Sequence, residues 1–159
     1  MAEPSPTSPS PAEISQSLLI VVGAHLRAEQ ADRPLAYQLQ AEITDWLDKN
    51  QPILGTTFTP LVCCDVLYVN HTPMHRRPTI CIGGPGVNAL SAYFNSRLRP
   101  VMVREDQMVI QLDPEFIDLR VCLWGMNHEL TRDALNFFER KYLTDFLRAV
   151  ATQVEPQVD

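Results

Sequence analysis

The sequence predicts an α/β domain with a largely parallel central sheet and helices on both faces, a sandwich of three layers. Three observations carry this. Apolar runs of strand length alternate with segments of helical period along the chain. The run Ser17–Gly23, SLLIVVG, stays apolar at successive positions, as a strand covered on both faces does. Three strand-like runs also end in glycine and feed a polar turn before a helix, at Gly23, Gly83-Gly84 and Gly125.

The first stretch, residues 1–17, is rich in Pro and Ser and holds Ile14 as its only large aliphatic side chain besides Met1. It buries too little to offset the entropy of ordering and is expected to be a disordered leader. It has neither the basic region nor the apolar core of a secretory signal. One domain is expected over residues 18–151, with a frayed polar tail at 152–159.

After the first strand, the polar connection at 24–33 leads to Pro34, a residue suited to a first helical turn. Leu35, Leu39, Ile43, Trp46 and Leu47 form one helical stripe, ended by Asn50 and Pro52. The next strand is expected within 60–70, its run LVCCDVLYV broken only by Asp65. The loop HTPMHRRP follows, and Pro78 opens the strand TICIGG. In GGPGVNALSAYFNSRL a tight turn precedes a helix with Val87, Leu90, Phe94 and Leu98 on one face. Val101–Arg104 and Met108–Leu112 flank Glu105-Asp106-Gln107 and read as a β-hairpin. Leu119–Gly125 is the last strand. A single helix over about 130–151 closes the chain, with Leu135, Phe138, Phe146 and Val150 near one face. Three main helices and an inserted hairpin thus make a Rossmann-like or flavodoxin-like arrangement.

A net charge of −6 argues against a nucleic-acid backbone as partner, and the basic pair Arg76-Arg77 is small. No window reaches the ~18 apolar residues of a membrane span. Of the four cysteines, Cys63 and Cys64 point to opposite faces of a strand, and no C-x-x-C occurs. They read as small buried hydrophobes rather than metal ligands, and free thiols fit a reducing cytoplasm.

If the glycine-ended strands are parallel, their exits gather on one rim of the sheet, where open α/β sheets bind ligands. That rim would carry Gly83, Gly84, Gly86 and Asn88 from the GGPGVN turn, whose backbone N–H groups suit an anion. It would also carry His25, Arg27, Glu29, Asp32 and Arg33 from the first connection, and Asn127, His128, Glu129 and Thr131 from the last. His25 and His128 are the candidate proton carriers, the arginines candidate anion holders. Capping is the competing role for Asn127, and structural pairing with an Arg or a backbone N–H for Asp65. His71 and His75 read as a solvated loop, Trp46 and Trp124 as core. The turn matches neither the dinucleotide nor the Walker pattern, so no cofactor is named. The expected function is binding, with transfer or hydrolysis as the simplest chemistry, of a small anionic ligand such as a nucleotide or sugar phosphate. The alternative is a non-catalytic interaction or assembly module. For it, the hairpin tip Glu105-Asp106 and the last helix offer surfaces for a homo-oligomer.

Overall fold

The computed structural model describes residues 9–54 and 57–153. They form an α/β fold around a six-stranded mixed sheet in the order β2-β1-β3-β6-β5-β4. The strands are β1 Ser17–Val22, β2 Thr59–Cys64, β3 Thr79–Ile82, β4 Pro100–Arg104, β5 Met108–Gln111 and β6 Arg120–Gly125. β2, β1, β3 and β6 run parallel, with Val22 opposite Cys64 and Ile82, and Ile82 opposite Leu123. β5 pairs antiparallel with β6, and β4 with β5, as the hairpin requires. Its tip holds Glu105 and Asp106 at φ 51° and 57°, the left-handed pair of a tight hairpin turn.

Alternate residues of β1 enter two cores. Leu18, Ile20 and Val22 pack with Leu35, Leu39 and Ile43 of helix α2 (Leu26–Leu54). The same cluster takes Leu135 and Phe138 of α5 (His128–Lys141) and Phe146, Leu147 and Val150 of α6 (Leu143–Gln153). Leu19 and Val21 face the other way. They meet Ile14 of α1 (Pro11–Ser15), Tyr68 of α3 (Asp65–Val69), and Leu90 and Phe94 of α4 (Ala89–Phe94). Each fully buried large apolar side chain contributes about 1.5–3 kcal/mol, so both faces of β1 are driven inward.

The elements depart from expectation in five places. Within the expected leader, Ser10 caps α1 and Ile14 is buried, so one aliphatic side chain suffices to seat a helical turn on the sheet; residues 1–8 lie outside the described residues. Helix α2 starts at Leu26, not Pro34, and runs past Pro52. Packing of the buried stripe Leu35, Leu39, Ile43 and Leu47 of this 29-residue helix outweighs the ~3 kcal/mol an interior proline costs. The run LVCCDVLYV changes from strand to helix at Asp65, whose carboxylate accepts backbone N–H groups there. The helix after GGPGVN is short, ending at Phe94. The closing helix is two, divided at Tyr142, although Tyr142 still donates to the Phe138 carbonyl at 2.8 Å. Thr152 and Gln153 continue α6; the rest of the expected tail lies outside the described residues. The cysteines are free, with Cys81 and Cys122 buried opposite one another on β3 and β6. Among the described residues no helix is long and apolar enough to cross a membrane.

Candidate functional site

The parallel pairing of β1, β3 and β6 puts the exits at Gly23, Gly83 and Gly125 on one rim, joined by the exit of β2 at Asp65. Adjacent strands lie about 4.8 Å apart, so the Gly23 and Gly125 backbones stand roughly 10 Å apart across β3. From β1 the chain leaves into α2 on one face. From β3 it leaves into α4 on the other, so the crossovers diverge between these two strands.

The rim is bound together from inside. Asp65, buried, accepts from Ala24 N at 3.0 Å, Val66 N at 2.8 Å and Ala89 N at 2.7 Å. It thereby ties the exits of β1 and β2 to the start of α4. Asn88, also buried, donates through Nδ2 to the carbonyls of Val21 (3.3 Å) and Ile82 (3.1 Å), and its Oδ1 accepts from Leu90 N and Ser91 N. Ala92 N reaches the Asn88 carbonyl at 3.2 Å. The first donors of α4 therefore all have partners within the protein, and the anion at this helix start is the carboxylate of Asp65. The structural pairing with a backbone N–H expected of Asp65 is what its geometry displays.

Packing accounts for two of the three glycine exits. A Cβ at Gly23 would overlap the Val87 carbonyl oxygen, and one at Gly125 would overlap Leu130 and the Thr131 N–H. Gly83 has φ 116° and lies against Asp32. Gly84 touches only the Trp124 ring, and Gly86 opens onto free space.

The polar candidates divide by whether their atoms are already engaged. Asn127 caps α5 through Leu130 N at 2.9 Å. Buried Thr131 bonds back to Gly125 and Asn127. Arg33 is held by Glu29 at 2.9 Å and Tyr37 Oη at 3.3 Å. His25 accepts the Arg27 N–H on Nδ1 at 3.2 Å, standing in for a cap at the start of α2, which leaves Nε2 carrying the proton. The imidazoles of His25 and His128 and the guanidinium of Arg27 are exposed on the rim.

Asp32, expected on the rim but given no role there, is the group the structure singles out. The sequence puts it on the first connection, yet it lies on α2 and is 5% exposed. Its Oδ2 sits 2.5 Å from where a Cβ of Gly83 would be. It accepts no hydrogen bond from the described residues, and burial pushes its carboxyl up to about 6. On the other side of the same turn Trp124 is half-buried rather than core, packed 3.5 Å from the Gly84 Cβ position, and its indole N–H is buried without a partner among the described residues. An unpaired carboxyl and an unpaired N–H thus bracket Gly83-Gly84.

No protein-family model matches this chain, and neither does a curated protein or a solved structure. Its geometry is what bears on function. The rim also exposes apolar side chains: Leu26 is 69% exposed, Val66 55% and Met126 67%, one at each of three strand exits, and Pro85 is exposed at the fourth. Cavities of 710, 580, 550 and 350 Å³ open elsewhere on the described surface, none lined by these rim residues.

Proposed function

We propose that the domain binds a small polar ligand, of the nucleotide or sugar-phosphate class, on the carboxyl rim of a Rossmann-like or flavodoxin-like sandwich. The observation that carries this reading is Asp32: a largely buried carboxyl that accepts no hydrogen bond from the described residues, placed where the crossovers of β1 and β3 diverge. Such a group lowers the stability of the unliganded fold and accepts hydroxyl or amino donors from a bound molecule. Because the α4 donors are engaged by Asp65 and Asn88, the ligand presents its sugar or base edge to the turn. Its phosphate goes to Arg27, away from the carboxylate of Asp32. Gly84 and Gly86 leave room for close approach, and Leu26, Pro85 and Met126 cover its apolar part. A carboxyl that titrates near 6 suits general acid–base work, with His25 Nε2 and His128 as proton carriers if the bound molecule is turned over. The free thiols support a cytoplasmic setting.

The test is fluorescence of Trp124 in a Trp46→Phe background, titrated with a panel of nucleotides and sugar phosphates. A saturable change that disappears in Asp32→Asn is expected. A saturable change untouched by Asp32→Asn, or none with any member of the panel, rejects the reading. A second reading, a self-associating interaction module, is favoured by the apolar residue at each strand exit. It requires a wild-type oligomer in light scattering that Leu26→Glu with Met126→Glu returns to monomer; a wild-type monomer rules it out.

A further inference from the structure

At the opposite edge of the sheet, where β1 and β3 begin, α1, the 3₁₀ turn Thr72–Arg76 and the end of α6 enclose the 710 Å³ cavity. Its size falls in the range of small-molecule sites. Its polar lining is Ser15, Gln16, His71, Thr72, Arg76 and Arg77, with Gln153 at the α6 end. None of the described residues lining it is acidic, in a chain whose net charge is −6.

Arg77 lies at the wall. Its Nε donates to the Ser17 carbonyl at 3.0 Å, which anchors the guanidinium across the starts of β1 and β3. One of its terminal nitrogens is buried and has no hydrogen-bond partner among the described residues. Burial also disfavours its charge. A guanidinium carries five donors and remains protonated in proteins, so an unpaired buried nitrogen leaves charge and hydrogen bonds uncompensated. Exposed Arg76 lines the same cavity, as do Thr72 and His71.

We infer that this cavity is an anion site for a phosphorylated small molecule, whose phosphate lies between the guanidinium groups of Arg76 and Arg77. Two forks converging on one oxyanion are the geometry that arginine supplies and lysine does not. The hydroxyls of Ser15 and Thr72 serve the uncharged part of the molecule. The site is independent of the rim and shares no residue with it.

The probe is pyrophosphate, titrated calorimetrically into the full chain. A saturable uptake is expected, weakened tenfold or more in Arg76→Ala and in Arg77→Lys, and unchanged in the distant surface control Arg132→Ala. Arg77→Lys keeps the charge and so guards against mere unfolding, and exposed Arg76 guards further. The chain's own carboxylates at Glu155 and Asp159 follow Gln153 in sequence and are the competing source of negative charge. The full chain with Glu155→Gln and Asp159→Asn distinguishes the two. Pyrophosphate binding that is equal in this chain supports a site for a free ligand. Binding seen only after these two carboxylates are neutralised assigns the cavity to the tail and overturns the proposal. So does the absence of saturable uptake in both chains, or uptake indifferent to Arg76 and Arg77.

Discussion

Replacing Asp32 by Asn removes a charge and almost nothing else, so it isolates the cost of keeping a carboxylate beneath the glycine turn. Burial raises this carboxyl from 3.8 to about 6. A tenfold change in proton affinity is worth about 1.4 kcal/mol, so this rise amounts to about 3 kcal/mol, which access of water to the rim reduces to about 1–2 kcal/mol. The sign follows from linkage. The folded protein holds the Asp32 proton more tightly than the unfolded chain. The penalty is therefore absent below pH 3.8, grows between 3.8 and 6, and is complete above 6. Asp32→Asn should accordingly be more stable than wild type at pH 7.5 by about 1–2 kcal/mol, a rise of several degrees in Tm for a chain of this size. At pH 4 the two should nearly coincide. Urea unfolding at the two pH values measures the difference, with equal slopes required so that it reflects stability alone. If Asp32→Asn were less stable than wild type at pH 7.5, the carboxylate would have to possess a stabilising partner. The claim of an unpaired group at the rim would then fall.

Asp65→Ala removes three backbone hydrogen bonds to a carboxylate and should cost at least about 3 kcal/mol in urea unfolding. A loss under about 1 kcal/mol would mean that these N–H groups find other partners. Gly125→Ala should destabilise by about 2 kcal/mol or more through its collision with Leu130 and Thr131, whereas Gly86→Ala, open to space, should stay within about 0.5 kcal/mol of wild type in the same assay. Glu139 is pushed up to about 8 by burial and by the neighbouring Glu42 carboxyl, a penalty that grows as pH rises from 4.5 through 8. Glu139→Gln should therefore flatten the decline in thermal stability between pH 6 and 9, and a decline identical to wild type would contradict that assignment.

Much of the sheet is legible because β1 and β3 are apolar at nearly every position and end in glycine, a pattern that only a covered parallel strand explains well. The hairpin is legible from two short β-forming runs around Glu105-Asp106. The start of the helix before β2 is not, because Pro34 is far commoner at a helix start than inside one. That one displacement conceals the site. Once α2 begins at Leu26, Ala28, Asp32, Leu35, Ala36, Leu39 and Ile43 fall on one stripe. Asp32 is then a carboxylate on a buried helical face, a signal present in the sequence but masked as a polar loop. Arg77 has no such signal. It bonds to Ser17 and shares its cavity with Ile14 of α1, a long-range arrangement that no local pattern reports.

The glycine turn carries a general lesson about anion sites. Glycines before a helix are consistent with a bound phosphate, but they are equally required when two backbones must touch, and here Gly23 and Gly125 are needed for that reason. What decides between the two is where the helix donors go. In this chain Asp65 reaches across β1 from the exit of β2 and occupies the position a phosphate would take, with Ala89 N at 2.7 Å. The consequence is an inversion of polarity. The rim offers an acceptor, Asp32, where a phosphate-binding turn offers donors, and at the far edge Arg77 holds a buried donor without a partner among the described residues. A phosphate placed on the α4 donors would have to displace a carboxylate already holding three N–H groups, so in the proposed reading the hydroxyl and amino groups of the ligand meet the turn and its phosphate meets Arg27. Replacing a ligand's sugar hydroxyls by hydrogen should therefore weaken rim binding more than removing its phosphate does, and the opposite order would show that Asp65 yields to the ligand.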